Sequence, residues 1–148
     1  MYVQYMFRSR GLHEQVIDES QLEKLIPHFY GLIRRDELLG PLFNAAIGDW
    51  PGHMDKLIAF WSSVMLTSGR YKGNPMAAHL KHGAQITPAM FERWLALWSE
   101  ATSELLPAPI AGALQAKAAR IAESLSLALF FRLDRPTANG AASISGGA

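Results

Sequence analysis

From Asp18 onward, apolar stripes of helical period are separated by short polar and proline-containing breaks. Leu22, Leu25, Ile26, Phe29, Tyr30, Leu32 and Ile33 recur at the spacing of one helix face. Asp18-Glu19-Ser20-Gln21 precedes them with capping side chains. Pro27 interrupts the stripe, which predicts either a kink or two short helices meeting there. Gly31 leaves room for another helix to approach. Asp36 to Asn44, punctuated by Gly40-Pro41, predicts a turn with one or two short helical pieces. A long helix follows from Trp50 to about Thr67, with Asp49 as its cap and Pro51 in its first turn. His53, Leu57, Phe60, Trp61 and Val64 share one face of it.

Ser68 to Asn74 reads as a loop, and Pro75 to about His82 as a short helix stopped by Gly83. Thr87-Pro88 starts another helix, whose Phe91, Trp94, Leu95, Trp98 and Thr102 form an apolar face. Pro107 and Pro109 end it. The last helix is expected from about Pro109 to Leu133, with Ile110, Leu114, Ile121, Leu125, Ala128 and Leu129 in register. No sustained period-two alternation and no internal repeat occurs. The pattern predicts an all-α domain of five or six helices over residues 18–134, after a lead-in at 1–17. Residues 135–148 turn to Pro, Thr, Ala, Asn, Gly and Ser and read as a disordered tail.

Composition narrows the function. The 148 residues suffice for one core, and 49% hydrophobic against 18% charged residues suits a globular interior. A net charge of +1, with Arg34-Arg35 the only adjacent basic pair, gives no reason to expect nucleic acid or an anionic membrane as partner. The absence of cysteine excludes disulfides, zinc–thiolate sites, iron–sulfur clusters and thiol nucleophiles. Met1 to Arg8 has no basic region and no apolar run of signal-peptide length, and no stretch approaches the ~20 apolar residues of a membrane span. The default expectation is a cytoplasmic protein.

Candidate chemistry is sparse. No His-Glu-x-x-His, nucleophile elbow or phosphate-cradling glycine loop occurs. His79 and His82 can share a helix face, but no carboxylate stands nearby as a third ligand. His79 lies about one turn into the short helix, where an imidazole can present a ring nitrogen to a metal or cofactor iron. A lone histidine there is more often a structural or surface residue than a ligand. Tyr30, Trp61, Trp94 and Trp98 lie on apolar faces yet carry polar handles, and His53 shares a face with Trp61. They fit plain aromatic packing or a pocket whose donors address a ligand.

The ordered blocks carry more. Phe29-Tyr30, Asp36 with Leu39-Gly40-Pro41-Leu42-Phe43-Asn44, Ala46-Ile47-Gly48 with Trp50 and His53, Phe60-Trp61, Tyr71-Lys72-Gly73-Asn74-Pro75 with His79, and Phe91 with Trp94-Leu95 follow in that order. In this combination the chain resembles the truncated globins, and among them the third group, from about Glu19 to Leu129. The glycine pairs of the first two groups are missing, as that group implies. Pro27, just before Phe29-Tyr30, is less typical.

The resemblance implies a two-over-two helical sandwich around haem b (iron protoporphyrin IX). It implies that His79 binds the iron on the proximal side, its other ring nitrogen donating to a backbone carbonyl. On the distal side it places Tyr30, Trp94 and His53. Tyr30 and Trp94 would donate to bound dioxygen, each bond to a charged group being worth roughly 1.5–3 kcal/mol. His53 would be a gate or weaker contact, the alternative being a solvent-facing histidine. Phe29, Phe43, Leu57 and Trp61 would line the cavity. Tyr71 and Lys72 would stand near the haem propionates, with a solvated Lys72 as the alternative. Trp98, Ile121 and Leu125 would be core or touch the proximal face.

The function implied is binding of oxygen, with carbon monoxide and nitric oxide as further ligands, by a monomer or weak dimer. The alternative is a haem enzyme, a nitric oxide dioxygenase or peroxidase, served by a separate reductase. A helical interaction module without haem is a third reading.

Overall fold

The computed structural model describes residues 16–132; the lead-in before Val16, the end of the last helix at Leu133 and the tail expected from 135 lie outside them. Among the described residues there are six α-helices and no strand: α1 (Glu19–Arg35), α2 (Gly40–Ala46), α3 (Trp50–Leu66), α4 (Pro75–Lys81), α5 (Pro88–Leu105) and α6 (Ala108–Ser126). A π-helical segment, Leu127–Arg132, continues α6.

The helix starts follow the expected caps. The Asp18 carboxylate accepts from the Gln21 N–H while the Gln21 side chain accepts from the Asp18 N–H, a reciprocal capping box. Asp49 accepts from Gly52 N–H at 3.1 Å, Asn74 from Ala77 N–H at 3.1 Å and Thr87 from Met90 N–H at 3.3 Å. Pro51, Pro75 and Pro88 each occupy the first turn, where no N–H is needed. Thr87→Ala is expected to lower the unfolding free energy by about 1 kcal/mol, read as a lower urea midpoint at unchanged m-value.

Of the two alternatives at Pro27, two short helices are ruled out: α1 is continuous from Glu19 to Arg35, with Pro27 inside it. Pro27 is exposed, so its ring faces solvent and water can satisfy the carbonyl one turn back that loses its N–H partner. At Gly31 the three atoms that a Cβ would meet first all belong to the Arg35 side chain, one turn along the same helix, and not to another helix. The close approach occurs at Gly40, where a Cβ would stand 2.8 Å from the Arg34 carbonyl oxygen. That contact seats α2 against the end of α1.

α1 packs on α2, α3 and α5, and α5 packs on α6. The core between them holds Leu22, Leu25, Phe29 and Ile33 of α1 against Trp61 of α3 and Trp98 of α5. Trp98 is fully buried, and its indole N–H donates to the Leu114 carbonyl at 3.1 Å. It stacks on Trp61 with centroids 4.5 Å apart and lies nearly parallel to Trp94 at 6.2 Å. These aromatic contacts lock α3 and α5 together beneath α1.

The last helix departs from expectation by widening after Ser126. In the π-helical turn Ala128 and Leu129, adjacent in sequence, are both buried, and the Phe130 ring meets Phe91 edge-on at 6.1 Å. This segment is also the element on which α4 packs. α4 has no buried residue of its own. No described helix is long and apolar enough to cross a membrane.

Candidate functional site

α3 is apolar on average, yet only Trp61 and Ser62 of it are buried. Its remaining apolar face borders a cavity of about 590 Å³, within the range of sites for cofactor-sized molecules. The wall brings together Tyr30 from α1, His53, Leu57 and Trp61 from α3, His79 from α4 and Trp94 from α5. Phe43, Tyr71 and Lys72 also line it.

His79 is oriented from within its own short helix. Its Nδ1 lies 2.7 Å from the Pro75 carbonyl oxygen, one turn back. A carbonyl only accepts, so Nδ1 carries the proton, and Nε2 keeps a lone pair for the cavity. Pro75 sits where the helix needs no N–H, and its carbonyl fixes the imidazole. Just before it, a Cβ at Gly73 would stand 2.5 Å from the Tyr71 hydroxyl, which folds over the turn, so a larger residue there would displace the Tyr71 side chain.

Tyr30 stands in an aromatic cluster. Its ring lies 4.9 Å from Phe29, 5.9 Å from Phe43, 6.1 Å from Trp50 and 5.7 Å from His53. Burial raises its phenol well above the ordinary tyrosine value, the Trp94 side chain acting weakly in the opposite direction. The hydroxyl therefore keeps its proton and is a donor at any physiological pH. Trp50 is set by Arg34, whose guanidinium lies 4.4 Å over its ring. Arg34 Nε donates to Asn44 Oδ1 at 3.3 Å, and Asn44 Nδ2 donates back to the Arg34 carbonyl at 3.2 Å. Trp50 in turn meets His53 edge-on at 5.8 Å.

His53 is half-buried, and burial, helped by the Lys56 charge, lowers its pKa below the ordinary 6.5. It is neutral at pH 7. The unfolded chain takes up the proton near 6.5 and the folded chain only at lower pH. Stability from this group is full above 6.5 and is lost as pH falls through the depressed folded value. In the haem-free protein, His53→Leu should flatten that part of the pH–stability profile. An unaltered profile would mean that His53 is solvated.

Phe29 was expected on the wall and stands one layer behind it. Adjacent helical residues point about 100° apart, so Tyr30 faces the cavity while Phe29 turns into the core, 4.8 Å from Trp98 and 5.9 Å from Trp94. Trp98 is likewise core and not wall, whereas Ile121 and Leu125 line the cavity. Leu39, Ile86 and Met90 also line it without having been singled out. Met90 precedes Trp94 by four residues on α5, and that spacing alone would have found it. Lys56 and Arg70 join Lys72 as cations at the wall.

The residues present suit haem. An apolar slot carries one helix-held imidazole with a free Nε2, polar side chains from three other helices, and three cations for two carboxylates. Among the described residues there is no cluster of three or more His, Asp or Glu that would hold a bare metal ion. All-helical packing around such a slot fits a globin.

Comparison with known proteins agrees. No family model matches the chain. It is 37% identical over 90 residues to a group III truncated haemoglobin of Campylobacter jejuni, covering 58% of this chain and 70% of that protein. The crystal structure of a group III truncated haemoglobin from Campylobacter jejuni superposes with a TM-score of 0.71 at 31% identity, covering 79% of this chain and 94% of that one. The chain belongs to the group III truncated haemoglobins, and is a haem globin by family.

Proposed function

We propose that the protein binds oxygen reversibly at a haem b held by His79, with Tyr30, Trp94 and His53 facing the gas. The observation that carries this is the His79 ring, its Nδ1 committed to the Pro75 carbonyl and its Nε2 left for the cavity that Tyr30, His53 and Trp94 also line. Haem, when bound, would supply an iron that takes a diatomic gas and the redox change behind any oxidative chemistry. The protein's part is to hold, orient and shelter. Tyr30 and Trp94 donate to the negative end of a polarised ligand, and carbon monoxide and nitric oxide fit the same space. Leu57, Phe43 and Trp61 exclude water, and Lys56, Arg70 or Lys72 can meet the propionates. Absorption spectra of the ferric, deoxy-ferrous and carbonmonoxy protein test the reading. A Soret band that shifts on adding carbon monoxide is expected, and a colourless protein after haem titration would refute it.

A second reading is favoured by Tyr30 and His53, whose rings meet edge-on at 5.7 Å on the cavity wall. A phenol beside a neutral imidazole can pass a proton, which consumption of peroxide would use, while conversion of nitric oxide to nitrate would need only the sheltered gas site. Such an enzyme needs electrons, and a separate reductase is the partner it implies. Stopped-flow mixing of the oxygenated protein with nitric oxide, followed by a reductase, separates the readings. Repeated turnover supports the enzyme, and a single stoichiometric reaction the binding protein.

A further inference from the structure

Arg70 meets Glu19 by two routes. Its guanidinium pairs with Glu19 Oε2. Its backbone N–H donates to Ser68 Oγ at 3.3 Å, the Ser68 and Ser62 hydroxyls are hydrogen-bonded at 2.7 Å, and Ser62 donates to Glu19 Oε1. Ser62 has one proton, which the carboxylate takes, so Ser68 must be the donor between the two serines. Every proton in this ring runs toward Glu19, an arrangement that requires an ionised carboxylate. The Ser62 hydrogen bond first, and Arg70 after it, hold the Glu19 carboxyl below its ordinary value against desolvation. Ser62 is fully buried, so its hydroxyl depends on these partners.

The ring joins the start of α1 and the body of α3 to the loop that leads into α4. That loop needs holding. Thr67 and Gly69 both lie in the left-handed region, at φ of 52° and 71°, and a β-branched residue there is strained. Tyr71 N–H adds one more tie, to Ser63 Oγ at 2.9 Å. α4 buries nothing, so the chain entering it sets much of where His79 stands. Arg70 itself reaches the cavity wall, beside Tyr71 and Lys72.

Resting on the haem reading above, we infer that Glu19 is a positioning residue for the proximal side of the pocket. Through Ser62, Ser68 and Arg70 it fixes the loop that sets Arg70 against the cavity and delivers the chain to His79.

The test is Glu19→Gln in the haem-loaded full chain, which keeps the shape and replaces an acceptor by a donor. Haem loss to excess apomyoglobin should accelerate about tenfold, the scale of one hydrogen bond to a charged group. The iron–histidine stretching band of the ferrous protein should shift or broaden, a change that a lower urea midpoint alone would not produce. Arg70→Gln should do the same, and the double variant should lose haem no faster than either single one. Should Glu19→Gln fail to fold, Ser68→Ala, which breaks the same ring away from the cavity wall, decides instead. Unchanged haem loss with an unchanged band would overturn the inference and leave the proposed function standing. Wild-type protein that takes up no haem would overturn both.

Discussion

His79→Ala protein should emerge with little or no Soret absorption, and millimolar imidazole should restore it. The cavity offers one imidazole oriented by its own helix, with Nδ1 tied 2.7 Å from the Pro75 carbonyl. Alanine suits a helix at least as well as histidine, so α4 should survive the change. Added imidazole can then enter the space that the side chain leaves. Because α4 buries no residue, the substitution removes little packing, and loss of haem would report loss of the ligand itself. A full haem complement in the variant would assign the iron elsewhere. His53 is the other imidazole on the wall.

The second large effect is expected on the opposite chemistry. Tyr30→Phe should release oxygen roughly tenfold to a hundredfold faster, the span of one hydrogen bond to a polarised ligand. The phenol is 5% exposed, and its ring is fixed by Phe29, Phe43, Trp50 and His53. Phenylalanine keeps those contacts and deletes only the donor. Trp94→Phe should act in the same direction, with some added loosening, because its indole lies parallel to Trp98 at 6.2 Å and edge-on to Phe29 at 5.9 Å. Stopped-flow displacement of oxygen by carbon monoxide measures both. Unchanged rates in the pair would remove Tyr30 and Trp94 as donors.

Most of the helical frame was legible from periodicity and caps, because Asp18, Asp49 and Thr87 satisfy the N–H groups that a helix start exposes. What periodicity could not convey was depth. Phe29 and Tyr30 are neighbours on one apolar stripe, and only the packing of α5 decides which of them meets the cavity. Gly31 and Gly40 look alike in sequence, and the one that matters is the one that starts α2 against the end of α1. The π-helical widening at Leu127 follows from burying Ala128 and Leu129 together, which an α-helical count does not anticipate. Residue type and helix face make candidates of His79, Tyr30, His53 and Trp94, but only the family pattern gives each a role. Arg70 and Glu19 are 51 positions apart and belong to no stripe, so their pairing had no signal in the sequence.

α4 packs on the π-helical segment, has no buried residue and follows a loop with two left-handed residues, Thr67 and Gly69. Such an element opens at little free-energy cost, well below that of unfolding the α1–α5 core. In hydrogen-exchange terms, amides of Ala77 to Lys81 should exchange early in the apoprotein and slow sharply once haem is bound. Haem uptake then includes ordering that turn, so measured affinity is partly a local folding equilibrium. Changes that stiffen α4 without touching the cofactor would tighten binding by mass action alone.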